Sequence, residues 1–121
     1  MGFDWREYLE LARQLAGLQG SGYSQEAADR SAVSRAYYAA FCWARNYAEK
    51  NMKFEPKRNP TDHSRLRDLL KNEGYPELAS HLNKLRGWRN ACDYDDQVPQ
   101  LRHQVVSFSI NIADKIIQGC R

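Results

Sequence analysis

The chain has 121 residues, of which 42% are hydrophobic and 27% are charged, and it contains only 4 prolines. This length and composition fit one globular domain, 1–121, whose core needs neither disulfides nor metal, and they exclude a low-complexity or collagen-like chain. The 18 basic and 15 acidic residues leave a net charge of +3, which is too small to indicate nucleic-acid binding on its own.

The cysteines and the start of the chain bear on location. Cys42, Cys92 and Cys120 are odd in number and lack metal-ligand spacing, which favours free thiols in a reducing compartment. The first ten residues have no apolar signal core, and no segment is long and apolar enough to span a membrane. We therefore expect a cytoplasmic protein without membrane contact.

Two helices are predicted in the first half of the chain. Asp4 is the predicted N-cap of the first, which runs to about Leu18. Its inner side is expected to carry Trp5, Tyr8, Leu11, Ala12 and Leu15, and it is ended by Gly17, Gly20 and Gly22. Ser24 caps a second helix that runs to about Lys50, through a stretch without Gly or Pro.

Three more helices are predicted after a loop that contains Pro56 and Pro60. Thr61 or Asp62 caps the third, which stops near Gly74 and carries Leu66, Leu69 and Leu70. Pro76 suits the first turn of the fourth, which carries Leu78, Leu82 and Leu85. The last begins near Gln100, and its apolar face comprises Leu101, Val105, Phe108, Ile112 and Ile116. No segment alternates with period two, so the fold class is all-α.

Alanine and aromatic residues occur nearly all round the second helix, as in the stretch 35–48. A helix that is apolar on most sides must be covered on most sides. The pattern therefore predicts a long central second helix, or one that also forms a dimer interface.

Two arginines fall within apolar stripes. Arg35 lies on a stripe of the second helix and Arg89 on a stripe of the fourth. A guanidinium is always charged, so each position demands a carboxylate, a set of carbonyls or an anionic ligand. Spacing favours structural pairs: Asp93 with Arg89, and Asp29 or Glu26 with Arg35. The alternative is a shared cationic cleft for the phosphate groups of RNA or a nucleotide.

Three segments together resemble a known family. SRAYYAAF at 34–41, then His63, then RNACDY at 89–94 are similar to the HEPN domain family, in particular to small prokaryotic members paired with a minimal nucleotidyltransferase. The resemblance covers nearly the whole chain. It implies an antiparallel bundle of four to five helices, a homodimer, a nucleotidyltransferase partner, and a role in a toxin–antitoxin or defence system.

The same resemblance bears on activity. Active members are metal-independent endoribonucleases whose late motif is Arg, a polar residue, a short spacer and His, with Arg on the scissile phosphate and His in proton transfer. Here Arg89 and Asn90 match the start of the motif, but Tyr94 stands where the nearest His would be. Tyrosine is a poor general base at neutral pH because its pKa is near 10. We therefore expect a degenerate site.

A second match to that motif lies elsewhere. Arg58 and His63 also have the required spacing, but they fall in the Pro-rich loop before the third helix. His63 is better interpreted as the histidine that non-nuclease relatives carry near that helix start, where it joins Arg35 and Arg89 as a candidate phosphate ligand. His81 and His103 have no helical partner at metal spacing, so neither a metal nor another cofactor is expected.

Three functions remain open at this point. The leading hypothesis is a non-catalytic or degenerate HEPN module that dimerises and binds RNA, a nucleotide or a partner protein. The second is an active endoribonuclease toxin that uses Arg89. The third is a structural interaction domain with no nucleic-acid role.

Overall fold

A computed structural model describes residues 2–18 and 22–121, so Gly20 lies outside the described residues. Within these ranges the chain is helical, without strands, and the all-α prediction is confirmed. The helices are α1 (Arg6–Leu15), α2 (Gln25–Asn51), α3 (Thr61–Asn72), α4 (Pro76–Tyr94) and α5 (Val106–Gly119), with a π-helical turn at Leu101–Val105 before α5. Of the described helices, none is long and apolar enough to cross a membrane.

The long second helix lies at the centre of the bundle, as its composition predicts. The Ser24 hydroxyl caps α2 by accepting a hydrogen bond from the Ala27 amide at 3.1 Å. α2 contacts α1, α3, α4 and α5, and its alanines at 32, 36, 39, 40 and 44 are fully buried. Small side chains let the neighbouring backbones approach closely, while Tyr37 and Phe41 fill the space between them.

The first helix is shorter than predicted, and one residue of its predicted inner face, Leu11, is wrong; Trp5, Tyr8, Ala12 and Leu15 pack in or against the core. α1 begins at Arg6 and ends at Leu15, and Gly17 follows with a positive φ of 76°. Leu11, expected inside, is 44% exposed, whereas Leu9 is 3% exposed. Both residues are leucines, so composition could not choose between them; packing against α2 and α5 did.

The third helix begins where expected, but the cap prediction is wrong. Pro60 occupies the N-cap position, and the amide of Thr61, the first residue of the helix, donates to the Asn59 side chain at 2.9 Å. The Asp62 carboxylate instead turns back to the loop and accepts hydrogen bonds from the backbone N–H groups of Lys57 and Arg58. It also accepts one from Arg65 at 2.8 Å. This carboxylate therefore anchors the preceding loop rather than the helix end.

The last helix lies where it was predicted, and Leu101, Val105 and Ile116 are buried as expected, but the face after the π-helical turn is displaced at Phe108. The π-helical turn follows Gln100, whose φ is 60°. A π turn holds more residues than an α turn, so the apolar face after it is shifted relative to the face before it. Phe108, predicted to be inside, is therefore 49% exposed, and Ser109 is fully buried.

Candidate functional site

The structure brings Arg35 and Arg89 to the same tyrosine. α2 supplies Arg35 and Tyr38, and α4 supplies Arg89. Each guanidinium carbon lies 5.4 Å from the centroid of the Tyr38 ring, so the two charges are no more than twice that distance apart. Tyr38 is half-buried. The two stripes that the sequence identified separately thus meet at one place, which we call the arginine–tyrosine cluster, with Tyr37 and His63 as its further members.

Arg35 does not have the carboxylate partner that its spacing predicted. Asp29 accepts hydrogen bonds from the Gly17 amide and from Gln25, and Glu26 pairs with Arg30. In the described part of the chain Arg35 makes no ion pair; its guanidinium lies 4.8 Å from the Tyr8 ring centroid, in addition to Tyr38.

The aromatic faces around Arg35 supply partial negative charge, which explains how a half-buried arginine is tolerated in the stripe. Its Nη2 also lies 3.5 Å from the Ser34 hydroxyl, at the limit of a hydrogen bond. The donors of Arg35 therefore remain largely available to a ligand.

Arg89 is buried, with 8% of its surface exposed. Its predicted partner is confirmed, because Nη1 lies 3.4 Å from an Asp93 carboxylate oxygen. That distance is long for a charge-assisted hydrogen bond, and Nε is buried with no partner among the described residues. The guanidinium also lies 5.4 Å from the Tyr37 ring centroid. A buried cation with unused donors is a candidate anion site.

His63 joins the cluster from the start of α3. Its ring stacks on Phe41 with the centroids 4.1 Å apart, and Nδ1 forms a short hydrogen bond with the hydroxyl of Tyr37. Burial, with added repulsion from Arg86 and Arg89, lowers the pKa of His63 to about 4. Burial also raises the pKa of Tyr37 far above its usual value. Both rings are therefore neutral at pH 7.

Arg86 and Arg67 add positive charge near the cluster. Both are half-buried, and both help to lower the pKa of His63. Arg86 also has a buried Nε without a partner among the described residues. The sequence did not single out Arg86, because the side of α4 that faces the cluster is set by how α4 packs on the other helices.

The remaining predicted site residues lie outside the cluster. Asn90 is exposed, and Tyr94, at the end of α4, is 77% exposed. Arg58 is exposed in the loop with a positive φ of 62°, and its backbone N–H donates to Asp62. Within the part of the chain that the structure describes, no hydrogen bond joins Arg58 to His63, whose ring contacts Tyr37 and Phe41 instead.

Arg30 is a residue whose role sequence reasoning missed. Its guanidinium donates to the carbonyl oxygens of Cys92, Asp95 and Asp96 at 3.0, 2.6 and 3.0 Å. These are carbonyls at and just beyond the C-terminal end of α4, where a cation is most favourable. Arg30 therefore fixes the end of the helix that carries Arg89.

Comparisons with known protein families, curated proteins and solved structures find no match to this chain. Among residues 2–18 and 22–121, no group of three or more His, Cys, Asp or Glu side chains is arranged to hold a metal ion. The three cysteines are buried free thiols.

Proposed function

We propose that this chain is a degenerate HEPN module that binds phosphate groups of RNA or of a nucleotide through Arg35 and Arg89, without cleaving RNA. The observation that carries the proposal is the meeting of these two guanidiniums at Tyr38. Arginine pairs are suited to phosphate because each presents a planar fork of donors. A base next to the bound phosphate would find the half-buried Tyr38 ring within reach for stacking.

The absence of cleavage is supported by the state of the proton-transfer groups. Tyr94 is 77% exposed, so nothing holds its hydroxyl against a phosphate at Arg89. His63 has one ring nitrogen engaged with Tyr37, and its pKa of about 4 keeps the ring neutral at pH 7, so it cannot serve as an imidazolium general acid.

We also propose that the chain forms a homodimer and binds a nucleotidyltransferase in the cytoplasm, as the resemblance implies. The exposed Phe108 ring lies 6.4 Å from the Trp88 ring, which makes this α4–α5 face a suitable interface. Light scattering coupled to size-exclusion chromatography tests the dimer. Phe108→Glu should halve the measured mass, and Leu11→Glu, at another exposed apolar side chain, should leave the mass unchanged.

Binding is tested by fluorescence anisotropy with a labelled single-stranded RNA at several salt concentrations. Arg35→Ala and Arg89→Ala should each weaken binding about tenfold and reduce the salt slope by about 1. Arg102→Ala is the matched control, because Arg102 is exposed on the π-helical turn. Thermal melts of each variant separate a loss of binding from a loss of folding. Arg89→Lys keeps the positive charge but removes the planar set of guanidinium donors.

Two results would replace the proposal with its rivals. Growth arrest on expression of the chain alone, relieved by Arg89→Ala, would make the protein an endoribonuclease toxin. One observation favours that alternative: His63 hydrogen-bonds to Tyr37, and the Arg89 guanidinium lies 5.4 Å from the centroid of the same ring. Unfolding of Arg35→Ala together with no RNA or nucleotide binding by the wild type at low salt would leave a structural interaction domain.

A further inference from the structure

A cavity of about 470 Å³ lies between the segment before α1, the second half of α2 and the end of α5. Four aromatic side chains line it: Phe3, Trp5, Trp43 and Tyr47. We call it the aromatic groove. Its described lining shares no residue with the arginine–tyrosine cluster. Its volume and aromatic walls are those of a small-molecule site.

The aromatic rings of the groove are held in place by contacts of their own. The Phe3 and Trp5 rings meet edge to face with centroids 4.9 Å apart. The Trp43 indole N–H donates to the Cys120 carbonyl at 3.1 Å, which fixes the ring against the end of α5. A ring already fixed in the free protein loses little entropy when a planar ligand stacks on it.

The charge around the groove selects against a cationic ligand. The Arg45 guanidinium lies 5.7 Å from the Trp5 ring, and Lys50 lines the opening. Arg6 lies 5.0 Å from the Trp43 ring, although it is also paired with Asp4. The described lining contains no Asp or Glu. An aromatic cage for an ammonium ion would need acidic rather than basic residues around it. The groove therefore favours a neutral or anionic aromatic ligand.

Two amide side chains in the lining, those of Asn46 and Asn51, keep hydrogen-bonding groups free for a ligand. The Asn46 carbonyl oxygen accepts from Arg45, which leaves its NH₂ group to donate. The Asn51 NH₂ group donates to the Tyr47 carbonyl at 3.0 Å, which leaves its own carbonyl oxygen to accept. A nucleobase edge presents both donors and acceptors, and this pair of amides complements it.

We infer that the aromatic groove binds the base of a nucleotide by stacking, with the phosphate group at Lys50. The nucleotide is either a free mononucleotide or one residue of a single-stranded RNA, since the two present the same chemistry. This inference stands on residues other than Arg35 and Arg89. It therefore survives or fails separately from the function proposed above.

The test is isothermal titration of the full chain with adenosine monophosphate, with ribose 5-phosphate as the probe that lacks a base. Phe3→Ala removes a stacking ring and should weaken binding at least about fivefold. Tyr23→Ala is the matched control, because Tyr23 is an aromatic side chain outside the groove that is 44% exposed, against 48% for Phe3. Lys50→Ala should weaken binding of the monophosphate but not of adenosine, while Lys71→Ala changes neither.

Binding of a short oligoadenylate distinguishes a free nucleotide from one residue of an RNA. Equal affinity for the monophosphate and the oligoadenylate indicates a free nucleotide, and tighter oligoadenylate binding that falls in Arg35→Ala indicates RNA. The inference is overturned if adenosine monophosphate does not saturate the chain at millimolar concentration. It is also overturned if ribose 5-phosphate binds equally well, or if binding is lost in Arg35→Ala and unchanged in Phe3→Ala.

Discussion

Lowering the pH from 7 to 5 should destabilise this fold through His63. The ring is half-buried against Phe41, its Nδ1 is engaged with the Tyr37 hydroxyl, and Arg86 and Arg89 repel an added proton. The pKa of His63 is about 4 in the folded chain against an ordinary value of 6.5. The unfolded state therefore takes up a proton in the window between these values, while the folded state does not.

The size of this effect follows from the two pKa values. Because the folded pKa is depressed, the stabilisation is fully present above pH 6.5 and is lost progressively as the pH falls towards 4. Between pH 7 and pH 5 the difference is about 2 kcal/mol before solvent screening. The ring is half-buried, so screening reduces the expected loss to about 1 kcal/mol.

Urea unfolding followed by circular dichroism at pH 7, 6 and 5 measures this loss of folding stability. His63→Gln keeps a side chain that can hydrogen-bond to the Tyr37 hydroxyl but does not titrate, so the loss of stability between pH 7 and pH 5 should be about 1 kcal/mol smaller than in the wild type. His103→Gln is the control, since His103 is exposed on the π-helical turn. Equal losses in the wild type and in His63→Gln would refute the reasoning, as would an NMR titration that places the His63 ring near 6.5.

Three other predictions address stability. Arg30→Ala should lower the free energy of unfolding in urea by about 1–2 kcal/mol, because it removes hydrogen bonds to carbonyls at the end of α4. The control is Arg13→Ala, which breaks an exposed ion pair and should cost less than about 0.5 kcal/mol. Burial raises the pKa of Asp62, but hydrogen bonds from the loop amides and from an arginine outweigh it and leave the pKa below its usual value. Asp62 therefore stabilises the fold above about pH 4 and less below it, and acid titration of Asp62→Asn should show a weaker pH dependence there. Leu70→Ala, at a buried side chain, should cost about 2–5 kcal/mol, and Leu11→Ala, at an exposed one, less than about 1 kcal/mol. A loss above about 2 kcal/mol in Leu11→Ala would contradict the observed exposure of Leu11 on α1.

Much of the fold could be predicted because its signals are local. Ser24 caps α2 through its own next turn, Pro76 begins α4, and Pro56 and Pro60 keep their segment out of helix. These effects act within a few residues along the chain, where sequence spacing equals spatial proximity. The composition of α2 also predicted its central position, since a helix without a polar face must be covered.

The candidate site could be predicted only in part. Arg35 and Arg89 were identified because each interrupts an apolar stripe of its own helix. That both would meet Tyr38, and that Tyr8 rather than a carboxylate would cover Arg35, depends on how α1, α2 and α4 pack. Aromatic rings carry no formal charge, so a search for charge partners in the sequence passes over Tyr8.

The sequence by itself determined which segments are helical, where several of them begin, and which arginines are out of place in an apolar stripe. Tertiary structure alone decided which of two leucines faces the core in α1, how the π-helical turn exposes Phe108, and which carbonyls Arg30 caps. The reason is physical. Propensity and capping depend on neighbours along the chain, whereas burial and the partner of a charge depend on groups that packing brings together from positions more than sixty residues apart.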